Sequence, residues 1–294
     1  MGQYSIKDIE KLSGIKAHTI RIWEKRYNIV QPKRTDTNIR YYDDNDLKKL
    51  LNISVLNNKG IKISKISELS DEEIRDKVVA STANVTDFEV QIENMILSMI
   101  ELDEINFERI LSNVILKFGF ERTIIDVVYP FFQKIGVLWQ VGNINPYQEH
   151  FVSNLIRQKL MVAIDALPIP TTYQHLNFLL FLPEDELHEL NLLFYNYILK
   201  KRGFRTIYLG QTVPFEDLEK VTKTIEVNYL FTAFISQVNH DEIIDYLHRL
   251  SSVHAGRQIF ITGFQTYNIT AELPDNIFKV KSYEHFDAFL DSIS

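Results

Sequence analysis

The chain has 294 residues, 45% hydrophobic and 24% charged, the balance of a folded protein with room for two or three domains. It has no cysteine, which excludes disulfides and thiolate metal sites and fits a reducing cytoplasm. No apolar run approaches a membrane-spanning length, no signal-peptide core is expected in Met1–Glu10, and no membrane partner is expected. The net charge of −7 conceals an asymmetry: residues 1–66 carry 14 Lys/Arg against 7 Asp/Glu, and the remainder 18 against 32. A basic first segment on an acidic body points to a polyanion met by that segment alone.

Ser5 precedes an apolar stripe (Ile6, Ile9, Leu12), and Asp8 stands three residues on, the pattern of a capping box at a helix start. Ser13-Gly14 marks a tight turn. The spacing predicts a second helix from about Lys16 to Tyr27, with Ile20, Trp23 and Tyr27 facing inward. His18, Arg21 and Lys25 share the opposite face, with Thr19 and Arg26 beside it. A second helix with one donor-rich face is what the major groove of DNA admits and reads. Next, Pro32 to Thr35, a turn at Asp36-Thr37-Asn38, and Ile39 to Tyr42 predict a small β-wing. Arg34, Arg40 and Tyr41 would contact phosphate and sugar there. Asp43 to Asp46 cap a further helix carrying Leu47, Leu50 and Leu51.

A polar stretch from Ser67 to about Asp87 is expected to form a short helix and a linker. Residues 88–168 are helical in pattern. Ile92, Met95, Ile96, Met99 and Ile100 recur at three and four, as do Phe107, Ile110, Leu111, Val114 and Ile115. Two more helices, about Ile124 to Trp139 and Pro146 to Leu167, are set off by Gly119 and a Gly142-Asn143 turn, and four such helices suggest a bundle. From Leu176 the period changes. Strand-like runs at Leu176–Leu182, Thr206–Leu209, Tyr229–Phe234, Gln258–Thr262 and Ile277–Val280 alternate with helical segments, the pattern of a doubly wound parallel sheet. The expected fold is therefore multidomain, α and α/β: a winged helix-turn-helix over 1–70, a linker over 71–87, a four-helix bundle over 88–170 and a Rossmann-like sheet domain over 171–294.

Two histidines stand out in the second half. His188 follows the first strand of the sheet, at the carboxyl end where ligands of such sheets sit. Glu186, two residues earlier, can hold one imidazole nitrogen and leave the other to a metal. The bland alternative is a solvated histidine in an acidic loop. Trp139 and the Glu149-His150 pair lie on consecutive bundle helices, where the plain alternative is a core tryptophan and a surface pair. Gly203 and Gly210 are isolated and form no dinucleotide fingerprint, and no catalytic triad is evident.

These motifs carry a resemblance. His18-Thr19-Ile20-Arg21-Ile22-Trp23-Glu24, Arg34-Thr35 and Asn38-Ile39-Arg40-Tyr41-Tyr42 look like the MerR family signature in order and spacing. That implies a dimer on pseudo-palindromic operator DNA, and the cysteine-dependent metal sensors of the family are ruled out. The Trp139, nine-residue, Glu149-His150 pattern, followed by Glu186-x-His188 and by Leu209-Gly210 and Pro214, resembles the cobalamin-dependent, light-responsive MerR repressors of the CarH type over nearly the whole chain. The resemblance implies adenosylcobalamin as cofactor, His188 as the lower cobalt ligand oriented by Glu186, and Trp139, Glu149 and His150 over the upper face. It also implies cofactor contacts at Thr232 and Gly263 and assembly to a homodimer or tetramer. The sequence departs from that pattern at Asn191, Phe234 and Phe264, where the family has smaller residues. The two phenylalanines either fill the channel for the nucleotide tail or turn into the core. Two alternatives stay open: a MerR-type regulator whose last domain has lost the cofactor and serves oligomerisation or protein interaction, and a corrinoid methyltransferase subunit, for which the winged head has no use.

Overall fold

The computed structural model describes residues 3–35, 38–58, 60–81, 87–140, 145–169, 172–236, 240–267 and 269–294, with the side chains of 75, 79–81 and 137–140 outside the description. The chain divides into two compact units, Met1–Leu155 and Ile156–Ser294.

The first unit opens with helices α1 (Ile6–Ser13) and α2 (Ala17–Tyr27). The capping box forms as expected: Ser5 N donates to Asp8 Oδ2 at 2.7 Å and Asp8 N to Ser5 Oγ at 3.3 Å. Two short strands, β1 (Lys33–Arg34) and β2 (Arg40–Tyr41), pair antiparallel, with Lys33 opposite Tyr41. The turn expected at Asp36-Thr37 lies outside the described residues. Helix α3 (Asp44–Asn58) follows, with Leu47, Leu50 and Leu51 buried, and then a short α4 (Ile63–Ile66). A Tyr4–Tyr42 bridge joins the start of the chain to the wing, so Tyr42 is wholly buried. Within the expected linker, Asp71–Ser81 is helical (α5), and 82–86 lie outside the described residues.

Four helical segments follow: α6 (Phe88–Glu101), α7 (Glu104–Phe118), a run of α8 (Phe120–Thr123), a π-helical turn (Ile124–Val128) and α9 (Tyr129–Gln140), and α10 (Pro146–Asp165). The Gly142-Asn143 turn lies outside the described residues. One expectation changes. Helix α6 is not half-exposed: every residue from Val90 to Met99 is buried, Gln91, Glu93, Asn94 and Ser98 included. It packs against α3, α7, α9 and the π-helical turn, so no side is left to solvent. The π-helical turn has its cause in Pro130, which cannot donate to the carbonyl of Asp126 and whose ring crowds it, so the hydrogen-bond ladder shifts.

The second unit contains the end of α10 and a five-stranded, wholly parallel sheet in the order β4-β3-β5-β6-β7. The strands are β3 (Tyr173–Pro183), β4 (Phe204–Val213), β5 (Tyr229–Ala233), β6 (Gln258–Thr262) and β7 (Ile277–Lys279). Helices α11 (Leu190–Lys201), α12 (Phe215–Thr224), α13 (His240–Val253), α14 (Phe264–Tyr267) and α15 (Tyr283–Ile293) alternate with them. The chain runs outward from β3 to the edge strand β4 and then returns to β5 on the other side. The direction of winding therefore reverses between β3 and β5, and loops leaving two such strands bound a crevice at their carboxyl ends.

Candidate DNA-contact surface and cofactor site

The start of helix α2 is held by an acidic residue of α1, Glu10. Ala17 N donates to Glu10 Oε2 at 3.2 Å, and Lys16 Nζ lies 3.2 Å from Glu10 Oε1. Along α2, Ile20 and Trp23 are buried and Tyr27 is half-buried, whereas His18, Arg21, Lys25 and Arg26 are exposed and Thr19 is half-buried. Glu24, named in the sequence only as the end of the family-like run, ties α2 to the wing. It accepts a short hydrogen bond from the Tyr42 hydroxyl and lies 3.5 Å from the Arg40 guanidinium. Burial first, and then the Glu24 hydrogen bond and charge, push the Tyr42 phenol well above its usual range, so the hydroxyl is a fixed donor. Arg34 donates to Asn38 Oδ1 at 2.6 Å within the wing, Tyr41 is half-buried, and Lys33 pairs with Asp43 at 2.6 Å. The expected contact residues thus lie on one helix and one hairpin of the same unit, with Arg40 set by an ion pair rather than hanging free.

In the second unit, the loop after β3 and the loop after β5 meet at Glu186. Its carboxylate is buried and accepts from five donors: His188 N at 3.0 Å, His188 Nδ1 at 2.7 Å, Ile235 N at 2.8 Å, Ser236 N at 2.7 Å and Ser236 Oγ at 2.9 Å. Burial alone would push this carboxyl up, but the hydrogen bonds from His188, Ser236 and Ile235 outweigh it and bring the pKa down to about 2. The His188 ring is half in solvent, its Nδ1 edge fixed on the anion with Ser236 Oγ 3.2 Å away. Ser236 escaped the sequence reading because its partner is fifty residues away.

The departures from the family pattern resolve differently. Phe234 turns into the core: it is buried among Leu179, Phe181, Leu247 and Ile261 and stands edge-on to Tyr246 at 5.8 Å. Of the two alternatives left open, Phe234 takes the core, because the end of β5 directs this side chain under the sheet's helix layer. Phe264 is 59% exposed at the start of α14. Asn191 Nδ2 reaches Thr262 Oγ1 at 3.5 Å. Thr232 is wholly buried, and its Oγ1 has no hydrogen-bond partner among the described residues. Gly263 has φ +104, and a Cβ there would stand 2.3 Å from the Phe234 carbonyl oxygen. The close approach that requires this glycine is made by the chain's own backbone.

Behind His188, Glu189 is buried between two partners: the Arg157 guanidinium at 2.5 Å and the Tyr208 hydroxyl, which donates at 2.8 Å. Gln211 Nε2 donates to Leu187 O at 2.5 Å. The loop 184–189 is therefore anchored on three sides. In the first unit, Glu149 Oε2 lies 3.3 Å from His150 Nδ1 and Glu149 Oε1 accepts from Ser153 Oγ at 2.6 Å. Trp139 belongs to α9, and its side chain lies outside the described residues.

With that geometry in place, residues 4–73 match the MerR HTH family regulatory protein model, and residues 91–163 match a B12 binding domain. The chain thus joins a helix-turn-helix segment of the MerR type to a segment of the B12-binding type. More particularly, it is similar to two proteins of Myxococcus xanthus. It is 27% identical over 267 residues to the HTH-type transcriptional repressor CarH, covering 88% of each chain. To the HTH-type transcriptional repressor CarA it is 26% identical over 234 residues, covering 78% of this chain and 76% of that one. Among solved structures, the monomethylamine corrinoid protein of Methanosarcina barkeri shares the fold, with a TM-score of 0.53 at 14% identity over 66% of this chain and 94% of that one.

Proposed function

We propose that the protein is a transcriptional repressor whose assembly and grip on operator DNA respond to adenosylcobalamin and to light. The observation that carries this reading is the buried Glu186 carboxylate holding the His188 ring by Nδ1 at the point where the sheet reverses. An imidazole gripped in this way is oriented and made more basic at its other nitrogen, so it would suit a metal-bearing cofactor that takes one ligand from the protein. The unpartnered Thr232 Oγ1 and the inward turn of Phe234 are both compatible with a bound nucleotide tail.

Adenosylcobalamin, when bound, supplies a photolabile cobalt–carbon bond. The chain's own parts are these. His188 would hold the cobalt, and Glu186 would set its ring. Glu189, pinned by Arg157 and Tyr208, keeps the loop from swinging away. Trp139, Glu149 and His150 cover the upper ligand, a role carried by the resemblance and by the match of residues 91–163 to a B12 binding domain. Lys16, His18, Thr19, Arg21, Lys25 and Arg26 meet operator DNA through α2, and Arg34, Arg40 and Tyr41 hold its backbone. The working form on DNA is a homodimer or tetramer, and cofactor and DNA affinities are coupled reciprocally.

The test is equilibrium loading of dark-purified protein with adenosylcobalamin, followed by gel filtration and visible spectra before and after green light. Retention of the corrin in wild type, its loss in His188→Ala, and a size change on illumination are expected. A chain that retains no corrin yet still represses would return the last domain to a purely structural role.

A further inference from the structure

The outward face of α2 is not wholly polar. At about 100° per residue, His18, Arg21, Ile22 and Lys25 fall within an arc of roughly 100°, opposite the buried Ile20 and Trp23. Ile22 sits inside that basic arc and is 52% exposed. It is surplus to the core, which Ile20 and Trp23 already supply from this helix, and it cannot bond a phosphate. On a helix that enters the major groove, an exposed β-branched side chain gains most by packing on an apolar group there. Base edges there offer one such group, the C5 methyl of thymine. A second copy of the chain is a poor occupant, because it would bring its own basic arc against this one.

We propose that Ile22 is a specificity residue that packs on the C5 methyl of a thymine in each operator half-site, between the donors of Arg21 and Lys25. The pairing discriminates thymine from cytosine, which presents hydrogen at C5 and an amino donor beside it. It rests on the helix-turn-helix assignment and is independent of the cofactor reading.

The experiment selects operator duplexes from a random pool with the full-length protein, with and without adenosylcobalamin. Each thymine of the selected half-site is then replaced by deoxyuridine, which removes only the methyl. At one thymine per half-site the replacement weakens wild-type binding by about 3- to 10-fold. Ile22→Ala binds the thymine operator more weakly by a similar factor and is indifferent to deoxyuridine at that position. Its affinity for random duplex and its melting temperature stay at wild-type values, and Ile22→Val keeps most of the discrimination. The proposal is overturned if no thymine shows a methyl effect, or if Ile22→Ala retains the full deoxyuridine penalty. A pool with no enriched sequence overturns it together with base reading by α2, whereas selection that succeeds without cofactor leaves it standing even if the sensor reading fails.

Discussion

Single residues set the chemistry of the candidate cofactor site, and Glu186 is the one whose change is most telling. All five groups pointing at its carboxylate are donors. Glu186→Gln would turn one acceptor into an amide that faces donors, leaving at least one buried N–H unpaired at about 1–3 kcal/mol. Loss of the anion also frees the His188 ring. The expected outcome is a cobalamin affinity reduced about 10- to 100-fold, read by spectral titration with hydroxocobalamin, with the fold retained by circular dichroism. Unchanged affinity would show that the His188 orientation does not depend on this carboxylate.

At the scale of elements, the sheet's carboxyl edge is built by backbone contacts that side chains cannot be allowed to break. The turn after β6 presses on the end of β5, with Gly263 against the Phe234 carbonyl. Gly263→Ala is expected to cost roughly 2–4 kcal/mol, from positive-φ strain plus a contact that forces the backbone apart. Gly256→Ala is the control: φ is also positive, at +88, but nothing lies within 4 Å of the added Cβ, so about 1 kcal/mol is expected. Urea unfolding of both variants measures the difference, and equal losses would mean that strain alone, not the Phe234 contact, fixes this turn. On the DNA side, Glu24 does comparable work between α2 and the wing, since one carboxylate meets both Arg40 and Tyr42.

Across the whole molecule, the two units carry opposite responses to pH. In the first, burial pushes Glu93 up to about 7, opposed by Lys134 and a hydrogen bond with Ser54. Its folded pKa exceeds its unfolded value near 4.5. Its contribution is therefore complete at low pH and is lost as pH rises through 7. In the second, burial, aided by the charge of Arg257, depresses His254 to about 4, and neither ring nitrogen has a hydrogen-bond partner among the described residues. The unfolded state takes up a proton near 6.5 that the folded state refuses. This contribution is complete above 6.5 and is lost as pH falls towards 4. Each effect is on the order of 3 kcal/mol. Urea unfolding between pH 4.5 and 8 should show Glu93→Gln removing the loss on the alkaline side and His254→Leu the loss on the acid side. Profiles that match wild type in either variant would sink that half of the prediction.

Much of this was written locally in the chain. The capping box at Ser5, the apolar face of α2, the Leu47-Leu50-Leu51 stripe and the alternation of strands and helices after Leu176 all follow from side-chain periodicity, which depends only on near neighbours. The Glu186-x-His188 pair was legible for the same reason, because its partners are two residues apart. What the tertiary structure alone decided depends on residues far apart in sequence. Ser236 and Ile235 complete the Glu186 cage from fifty residues away, and Arg157 and Tyr208 grip Glu189 from opposite directions along the chain. Whether Phe234 blocked a channel or joined the core turned on the direction in which β5 ends, which no spacing encodes. Helix α6 looked amphipathic by its own period and is buried all round, because what covers a helix is settled by its neighbours and not by its own sequence.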